Sequence, residues 1–348
     1  MWSEEKRQKL IKILQEMIRI DTSNLPGNEN KMTEYIGAYL DEAKIPYQII
    51  EKEKNRSNLI AKLPATSLKK EKPLILLSHI DVVPALGEWE QPPFSGNIVD
   101  GVMYGRGTID TKHLTAMELL TMLLIKEENT ERNRDIYLIA SADEEKGSNF
   151  GMDFLSKEHA ELIPDGYTIS EGGGFIITQS GQKYRTCTCG EKGESSIELI
   201  VHGETSFTDC HESTAYSLLE SLERIGDYVP EETLCQATRK FKKVTNGEYL
   251  DPTMENLWEY STRDNLVVNA FELDFSDVPS SKRLNLSYKF VPGIEGISSK
   301  IGLGGKEKIC NIMKTILGEK ADFEVLSFED GYESDMENEF ISALEEMS

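Results

Sequence analysis

Four short polar segments of this sequence carry residue types that can bind a metal ion. In the first, His79 and Asp81 stand two positions apart, just past the apolar run that begins at Leu74. If the backbone stays extended there, both side chains point the same way. An imidazole beside a carboxylate suits a metal ligand whose second nitrogen donates to an acid that fixes its tautomer. Taken alone, such a pair more often belongs to a histidine that caps or packs at a strand end.

The other three segments contribute acidic residues at further element boundaries. Asp110, in the glycine-containing segment 105–112, stands at the entrance of a helix, where an acid taken alone is more often an N-cap. Three consecutive acids, the last two being Glu144 and Glu145, follow an apolar run directly, where they repel one another unless a cation is present. Taken alone, these acids could also belong to a solvated acidic loop. Glu171 lies one step past another short strand, a position that by itself is typical of a turn.

Together, the four segments predict one shared site. Side chains just outside the carboxyl ends of parallel strands meet at the same edge of a sheet. One imidazole with several carboxylates suits zinc, manganese or cobalt better than calcium, and a shared carboxylate could bridge two ions ~3.5–4 Å apart. We therefore predict up to two Zn²⁺ ions, with Mn²⁺ or Co²⁺ as substitutes, held by four residues: His79, Asp110, Glu145 and Glu171.

The elements that must position these residues fall into two groups. Apolar periodicity predicts helices over 1–20, 29–44 and 113–127 and strands over 74–78, 135–142 and 165–170. This alternation indicates an α/β domain with a largely parallel sheet. Beyond about residue 190, alternating strands and two further helices predict a small α+β domain. Residues 236–259 are polar and irregular, which predicts an inserted loop.

Composition excludes several classes of partner. The 348 residues include 38 Lys and Arg against 61 Asp and Glu, a net charge of −23 that opposes binding to nucleic acid or an anionic membrane. The length predicts about two domains. No apolar run approaches the ~20 residues of a membrane span, and the first residues lack a signal peptide's apolar core. Five cysteines do not indicate a disulfide framework, so we expect a cytoplasmic protein.

The motifs as a set resemble the co-catalytic zinc peptidases and amidohydrolases. That family includes aminoacylase, acetylornithine deacetylase, succinyl-diaminopimelate desuccinylase and glutamate carboxypeptidase. The resemblance covers about residues 1–180 and is weaker beyond them. It rests on SHIDVVP (78–84), the segment 89–94, DGVMYGRGTIDTK (100–112), ADEEKGS (142–148) and SEGGG (170–174).

This resemblance implies a role for each candidate residue. His79 and Glu171 would hold one metal ion, Asp110 would bridge two ions, and Glu145 would bind the second. Asp81 would orient His79, and Glu144 would act as the general base. The peptide bond between Asp110 and Thr111 would be cis.

The resemblance also implies an architecture and a substrate class. A zinc-peptidase-like catalytic domain would occupy residues 1–190, an α+β lid or dimerisation domain 191–328, and a return into the catalytic domain 329–348. The substrate would be a small amide, either a dipeptide or an N-acyl amino acid. A homodimer would form through the small domain.

Several departures from the family pattern suggest a second hypothesis about function. The family's second metal takes a histidine from a segment beyond Ser348, so we expect a chain truncated at its C-terminus. Phe207 stands in place of a carbonyl-polarising histidine, Ser276 in place of an asparagine, and Lys289 in place of a carboxylate-binding arginine. The alternative is therefore a catalytically impaired or inactive homologue that keeps the fold and partial metal binding.

Overall fold

The chain divides into two compact units, Met1–Glu171 and Gly172–Ser348. A computed structural model describes residues 3–68, 70–179, 181–202, 214–247, 252–271, 281–292, 303–318 and 321–347. The assignment of functional domains to residues 1–190, 191–328 and 329–348 stays a prediction. Within the described ranges, every helix is too short or too polar to cross a membrane.

The first unit is built around a mixed five-stranded sheet. Its elements are α1 (Glu4–Arg19), α2 (Glu29–Ala43), β1 (Tyr47–Glu53), β2 (Arg56–Leu63), β3 (Leu74–His79), β4 (Ile98–Val99), β5 (Val102–Met103), α3 (Lys112–Glu127), β6 (Ile136–Ser141), α4 (Met152–Glu158) and β7 (Tyr167–Ile169). The strand order is β1-β2-β6-β3-β7. Since β2 pairs antiparallel with both neighbours and β3 pairs parallel with β6 and β7, only β2 runs against the other four strands. The predicted largely parallel sheet is confirmed.

Helices cover both faces of this sheet. Polar side chains that could act on a ligand therefore lie at the ends of the strands. On one face, side chains of α1, α2 and α3 pack against the sheet in a core that includes Met17, Ile36, Leu119 and Leu138. On the other face, α4 packs against it through Phe154. The apolar runs of β3 and β6 supply side chains to both cores. The polar segments that follow β3, β6 and β7 therefore meet at one edge.

The second unit has the predicted α+β architecture. Its elements are β8 (Gly173–Gln179), β9 (Gln182–Cys187), β10 (Gly190–Glu191), β11 (Gly193–His202), α5 (Thr214–Gly226), α6 (Gln236–Val244), α7 (Pro252–Thr262), β12 (Asn265–Phe271), β13 (Ser281–Phe290), α8 (Leu303–Leu317), β14 (Ala321–Glu329), β15 (Tyr332–Glu333) and α9 (Glu339–Met347). The four-stranded antiparallel sheet has the order β12-β13-β11-β14. Residues of α5 and α8 share its apolar core.

The prediction of an inserted loop over residues 236–259 is wrong. Most of this stretch is helical, with α6 and α7 separated by a short connection. The rings of Phe241 on α6 and Trp258 on α7 stack with their centroids 6.1 Å apart, and Trp258 is buried. These two aromatic side chains supply enough apolar surface for the helices to pack, although most residues of the segment are polar. The polar composition alone therefore predicted a loop.

A buried carboxyl group on α3 makes the stability of the first unit depend on pH. Glu118 is 4% exposed, and its Oε2 accepts a hydrogen bond from the Ser78 hydroxyl at 2.6 Å. Its Oε1 has no hydrogen-bond partner among the described residues. Burial raises the pKa of Glu118 from 4.5 to about 8, although the Ser78 hydrogen bond acts in the opposite direction. The folded chain therefore holds a proton on Glu118 at neutral pH.

We expect Glu118→Gln to remove a pH-dependent contribution to stability. Between about pH 4.5 and about pH 8 the unfolded chain has released this proton and the folded chain has not. The wild type therefore loses up to about 1.4 kcal/mol of unfolding free energy per pH unit through this group as the pH rises. Urea unfolding at several pH values should show the variant gaining stability relative to wild type as the pH rises. Glu127→Gln, at the exposed end of α3, is the control. An identical pH dependence in wild type and Glu118→Gln would contradict the prediction.

Candidate metal centre

Three carboxylates surround one ring nitrogen of His79 at the carboxyl end of the parallel strands. His79 ends β3, and its Nε2 lies 3.0 Å from Asp110 Oδ1. The same nitrogen lies 3.4 Å from Glu171 Oε2 and 3.9 Å from Glu144 Oε2. Asp110 precedes α3, Glu144 opens a 3₁₀ turn (Glu144–Lys146) after β6, and Glu171 follows β7. Segments far apart in sequence therefore bring their side chains to one imidazole.

Glu145 completes the cluster. The ligating atoms of His79, Asp110 and Glu145 lie within 4.8 Å of one another, as do those of His79, Glu144 and Glu171. The four residues predicted as metal ligands thus share one site with Glu144. Their separate roles stay predictions.

Asp110 does not cap α3. The N-cap position is Thr111, whose side chain makes no capping hydrogen bond, and the Asp110 carboxylate lies beside His79 instead. The peptide bond between these two residues is cis, as the resemblance implied.

Asp81 fixes both the imidazole and the turn that carries the glutamates. His79 Nδ1 lies 3.0 Å from the Asp81 backbone carbonyl oxygen and 3.5 Å from its Oδ1. Because a carbonyl only accepts hydrogen bonds, Nδ1 carries the hydrogen and Nε2 faces the carboxylates. The buried Asp81 carboxylate also accepts the backbone N–H groups of Glu144 at 3.0 Å and Glu145 at 3.3 Å. Asp81 therefore orients the histidine chiefly through its backbone carbonyl and the two glutamates through its side chain.

The electrostatics of the site favour a cation. Burial alone would lower the pKa of His79, but its hydrogen bonds with Asp81 and Glu171 raise that pKa to about 11. Burial and then neighbouring carboxylates raise the pKa of Glu144, and the same effects raise that of Glu145. Four carboxylates around one imidazole repel one another, and a divalent ion would offset that repulsion. The residues present therefore fit a metal ion.

Residues 75–347 match the protein family described as Peptidase family M20/M25/M40. This chain belongs to that family. The matched range includes each of the four segments that supply His79, Asp110, the Glu144–Glu145 pair and Glu171. The resemblance drawn from those motifs is confirmed.

Individual relatives agree with membership of the M20 family. The chain is 24% identical over 266 residues to succinyl-diaminopimelate desuccinylase of Wolbachia sp. subsp. Brugia malayi, a match spanning 74% of this chain and 62% of that relative. Aminopeptidase PepT of Bacillus cereus has a similar fold, with a TM-score of 0.64, 15% identity, and coverage of 98% of this chain and 82% of that one. The Bacillus subtilis YxeP protein, described as a dinuclear metal binding peptidase, gives a TM-score of 0.57, 13% identity, and coverage of 96% and 77%.

Asp143 has a different place in this M20 chain from its two acidic neighbours. It is buried, and its carboxylate accepts hydrogen bonds from Asn24 Nδ2 at 2.7 Å, Arg56 Nη2 at 2.9 Å and the Phe150 backbone N–H at 3.2 Å. Sequence reasoning missed Asn24 and Arg56, because neither lies near a metal-ligand pattern in the sequence. These two residues hold Asp143 from behind the cluster.

Of the three residues that depart from the family pattern, the structure describes one. Phe207 and Ser276 lie outside the described residues. Lys289 lies on β13, partly exposed, with its Nζ 3.5 Å from Oε2 of Glu194 on the neighbouring strand β11. In this structure Lys289 therefore takes part in a partly exposed ion pair across the sheet.

Proposed function

We propose that this chain hydrolyses amide bonds in small substrates, namely dipeptides or N-acyl amino acids, using a metal-activated water and Glu144 as general base. The observation that carries the proposal is the convergence of Asp110, Glu144 and Glu171 on His79 Nε2, each within 3.9 Å. Membership of a peptidase family supports the reaction type. The names of the relatives, a desuccinylase and an aminopeptidase, support a small acyl or aminoacyl group on the substrate.

The donor set supports a divalent metal ion as the cofactor. We assign His79 and Glu171 to one ion, Asp110 to both ions and Glu145 to the second. One imidazole nitrogen with carboxylate oxygens suits Zn²⁺, and equally Mn²⁺ or Co²⁺. Bound there, such an ion would supply Lewis acidity, lowering the pKa of a water molecule towards ~7.

Glu144 performs the proton transfers in this proposal. Its carboxylate takes a proton from the attacking water while the hydroxyl adds to the amide carbon. When the carbon–nitrogen bond breaks, Glu144 returns that proton to the leaving amine. Burial and the neighbouring acids raise the pKa of Glu144, which makes it a better base than an exposed glutamate. Asp81 holds it in place through the Glu144 backbone N–H.

Metal analysis combined with a substrate panel tests this function. The purified chain is stripped with a chelator, supplied with Zn²⁺, Mn²⁺ or Co²⁺, and assayed for amino acids released from dipeptides and N-acyl amino acids. We expect metal-dependent release from at least one substrate and one or two ions bound per chain. Metal binding without release from any substrate would favour the impaired-homologue hypothesis. A chain that neither binds an ion nor releases an amino acid would contradict the proposal.

The cytoplasmic location and the homodimer stay predictions. Sedimentation of the purified chain tests the homodimer, for which we expect about twice the monomer mass.

A further inference from the structure

A buried network of polar side chains lies behind the metal centre. Arg56 donates from Nε to Glu29 Oε2 and from Nη2 to Glu29 Oε1, both at 2.8 Å. The same Nη2 donates to Asp143 Oδ1 at 2.9 Å. Glu29 is fully buried and Arg56 is 5% exposed. This ion pair ties α2 and β2 to the segment that carries Glu144 and Glu145.

Asn24 links this network to the acid behind His79. Its Nδ2 donates to Asp81 Oδ2 at 2.9 Å and to Asp143 Oδ1 at 2.7 Å. Both acceptors are carboxylates, so the amide group facing them must be the nitrogen, which uses both of its N–H groups. The Asn24 Oδ1 is buried with no hydrogen-bond partner among the described residues. The amide therefore contributes two hydrogen bonds, each to one of two buried acids.

Both acids make hydrogen bonds that hold the turn of Glu144 and Glu145. Asp81 accepts the backbone N–H groups of both glutamates. Asp143 comes directly before them with a φ of 62°, and its carbonyl oxygen accepts the Ser148 N–H at 2.6 Å. Two buried carboxylates this close repel each other unless donors lie between them. Asn24 places a donor on each.

We propose that Asn24 is a positioning residue for the metal centre, joining Asp81 to Asp143 and thereby fixing the His79 ring and the Glu144–Glu145 turn. The inference rests on the proposed function. Asn24 acts through the two acids and stands behind the cluster, so its effect is on the arrangement of the ligands and the base. Removing a residue that supports metal ligands in this way typically costs 10–100-fold in metal affinity or activity.

Calorimetric titration of Mn²⁺ into the chelator-stripped chain tests the proposal without depending on turnover. We expect Asn24→Ala to weaken Mn²⁺ binding about 10–100-fold. With a substrate that the wild type cleaves, kcat should fall while KM stays within about twofold, because Asn24 is not placed against the substrate. Asn24→Ser can keep one of the two donated bonds, so we expect an intermediate loss, and this milder variant decides the question if Asn24→Ala fails to fold.

Thr33→Val is the matched control. Thr33 is fully buried in the same unit, and its Oγ1 lies 2.9 Å from the Ser57 hydroxyl oxygen. Its substitution removes a buried hydrogen bond without touching Asp81 or Asp143, so the melting temperature should fall and Mn²⁺ affinity should not. Folded Asn24 variants with wild-type Mn²⁺ affinity and kcat would overturn the positioning role alone. A wild-type chain that binds no ion would remove the proposed function, and this inference with it.

Discussion

Glu144→Gln should lower kcat by about 10²–10⁴-fold, the usual contribution of a positioned general base. Glutamine keeps the size of the side chain but cannot take a proton from water. The backbone N–H that donates to Asp81 remains, so the 3₁₀ turn and Glu145 should stay in place. Mn²⁺ affinity measured by titration should therefore stay within a few-fold of wild type. A selective loss of turnover would separate the base from the metal ligands.

Glu158→Gln is the control for the change in charge. Glu158 lies at the exposed end of α4, where its Oε1 is 3.6 Å from Lys52 Nζ. We expect this variant to retain wild-type kcat and KM. Equal rates for wild type and Glu144→Gln would rule out a proton-transfer role for Glu144.

His79→Ala should weaken metal binding by about 100-fold or more, beyond the loss expected for a supporting residue. His79 belongs to both candidate ligand groups found among the described residues, and it is the sole nitrogen donor in either. Its removal leaves the acids of the site without their imidazole partner, so hydrolysis should fall to background. Mn²⁺ titration and metal analysis after dialysis would measure the loss.

His159→Ala controls for the removal of an imidazole elsewhere in the first unit. The His159 ring packs edge-on against Phe154, with the centroids 5.1 Å apart. This variant should lose some stability and keep wild-type metal affinity. If His79→Ala binds Mn²⁺ as tightly as His159→Ala, the site we describe is not the metal centre.

Most of the metal cluster could be predicted because its residues lie at or just past the ends of strands. An apolar run that ends in a histidine or is followed by acids indicates both the strand and the edge at which those side chains emerge, as at His79 and Glu144. Asp110 could be predicted from its place at the entrance of a helix instead. Asp143 was harder to interpret, because adjacency in sequence groups it with Glu144 and Glu145. Its left-handed φ and its hydrogen bonds to Asn24 and Arg56 direct it away from them. Contacts between residues so distant in sequence leave no periodic signal.

β2 shows the same limit in the fold. Its first three residues, Arg56, Ser57 and Asn58, are polar and yet buried, which hides the strand from a hydrophobic pattern. Each is satisfied by a distant partner: Arg56 by Glu29, Ser57 by Thr33, and Asn58 by backbone groups of Ala142 and Phe150. Buried polar groups are tolerated when they are hydrogen-bonded, and such partners become visible only in three dimensions.

The 3₁₀ turn Glu144–Lys146 also constrains how this segment can evolve. Successive residues of such a turn point about 120° apart, so neighbouring glutamates reach different parts of the cluster. Deleting one residue ahead of the turn would move Glu145 into the position of Glu144, beside Glu171, and Lys146 into the position of Glu145, beside Asp110. A cation would then replace one carboxylate of the cluster. The number of residues between β6 and this turn should therefore tolerate insertion or deletion as poorly as the glutamates tolerate replacement.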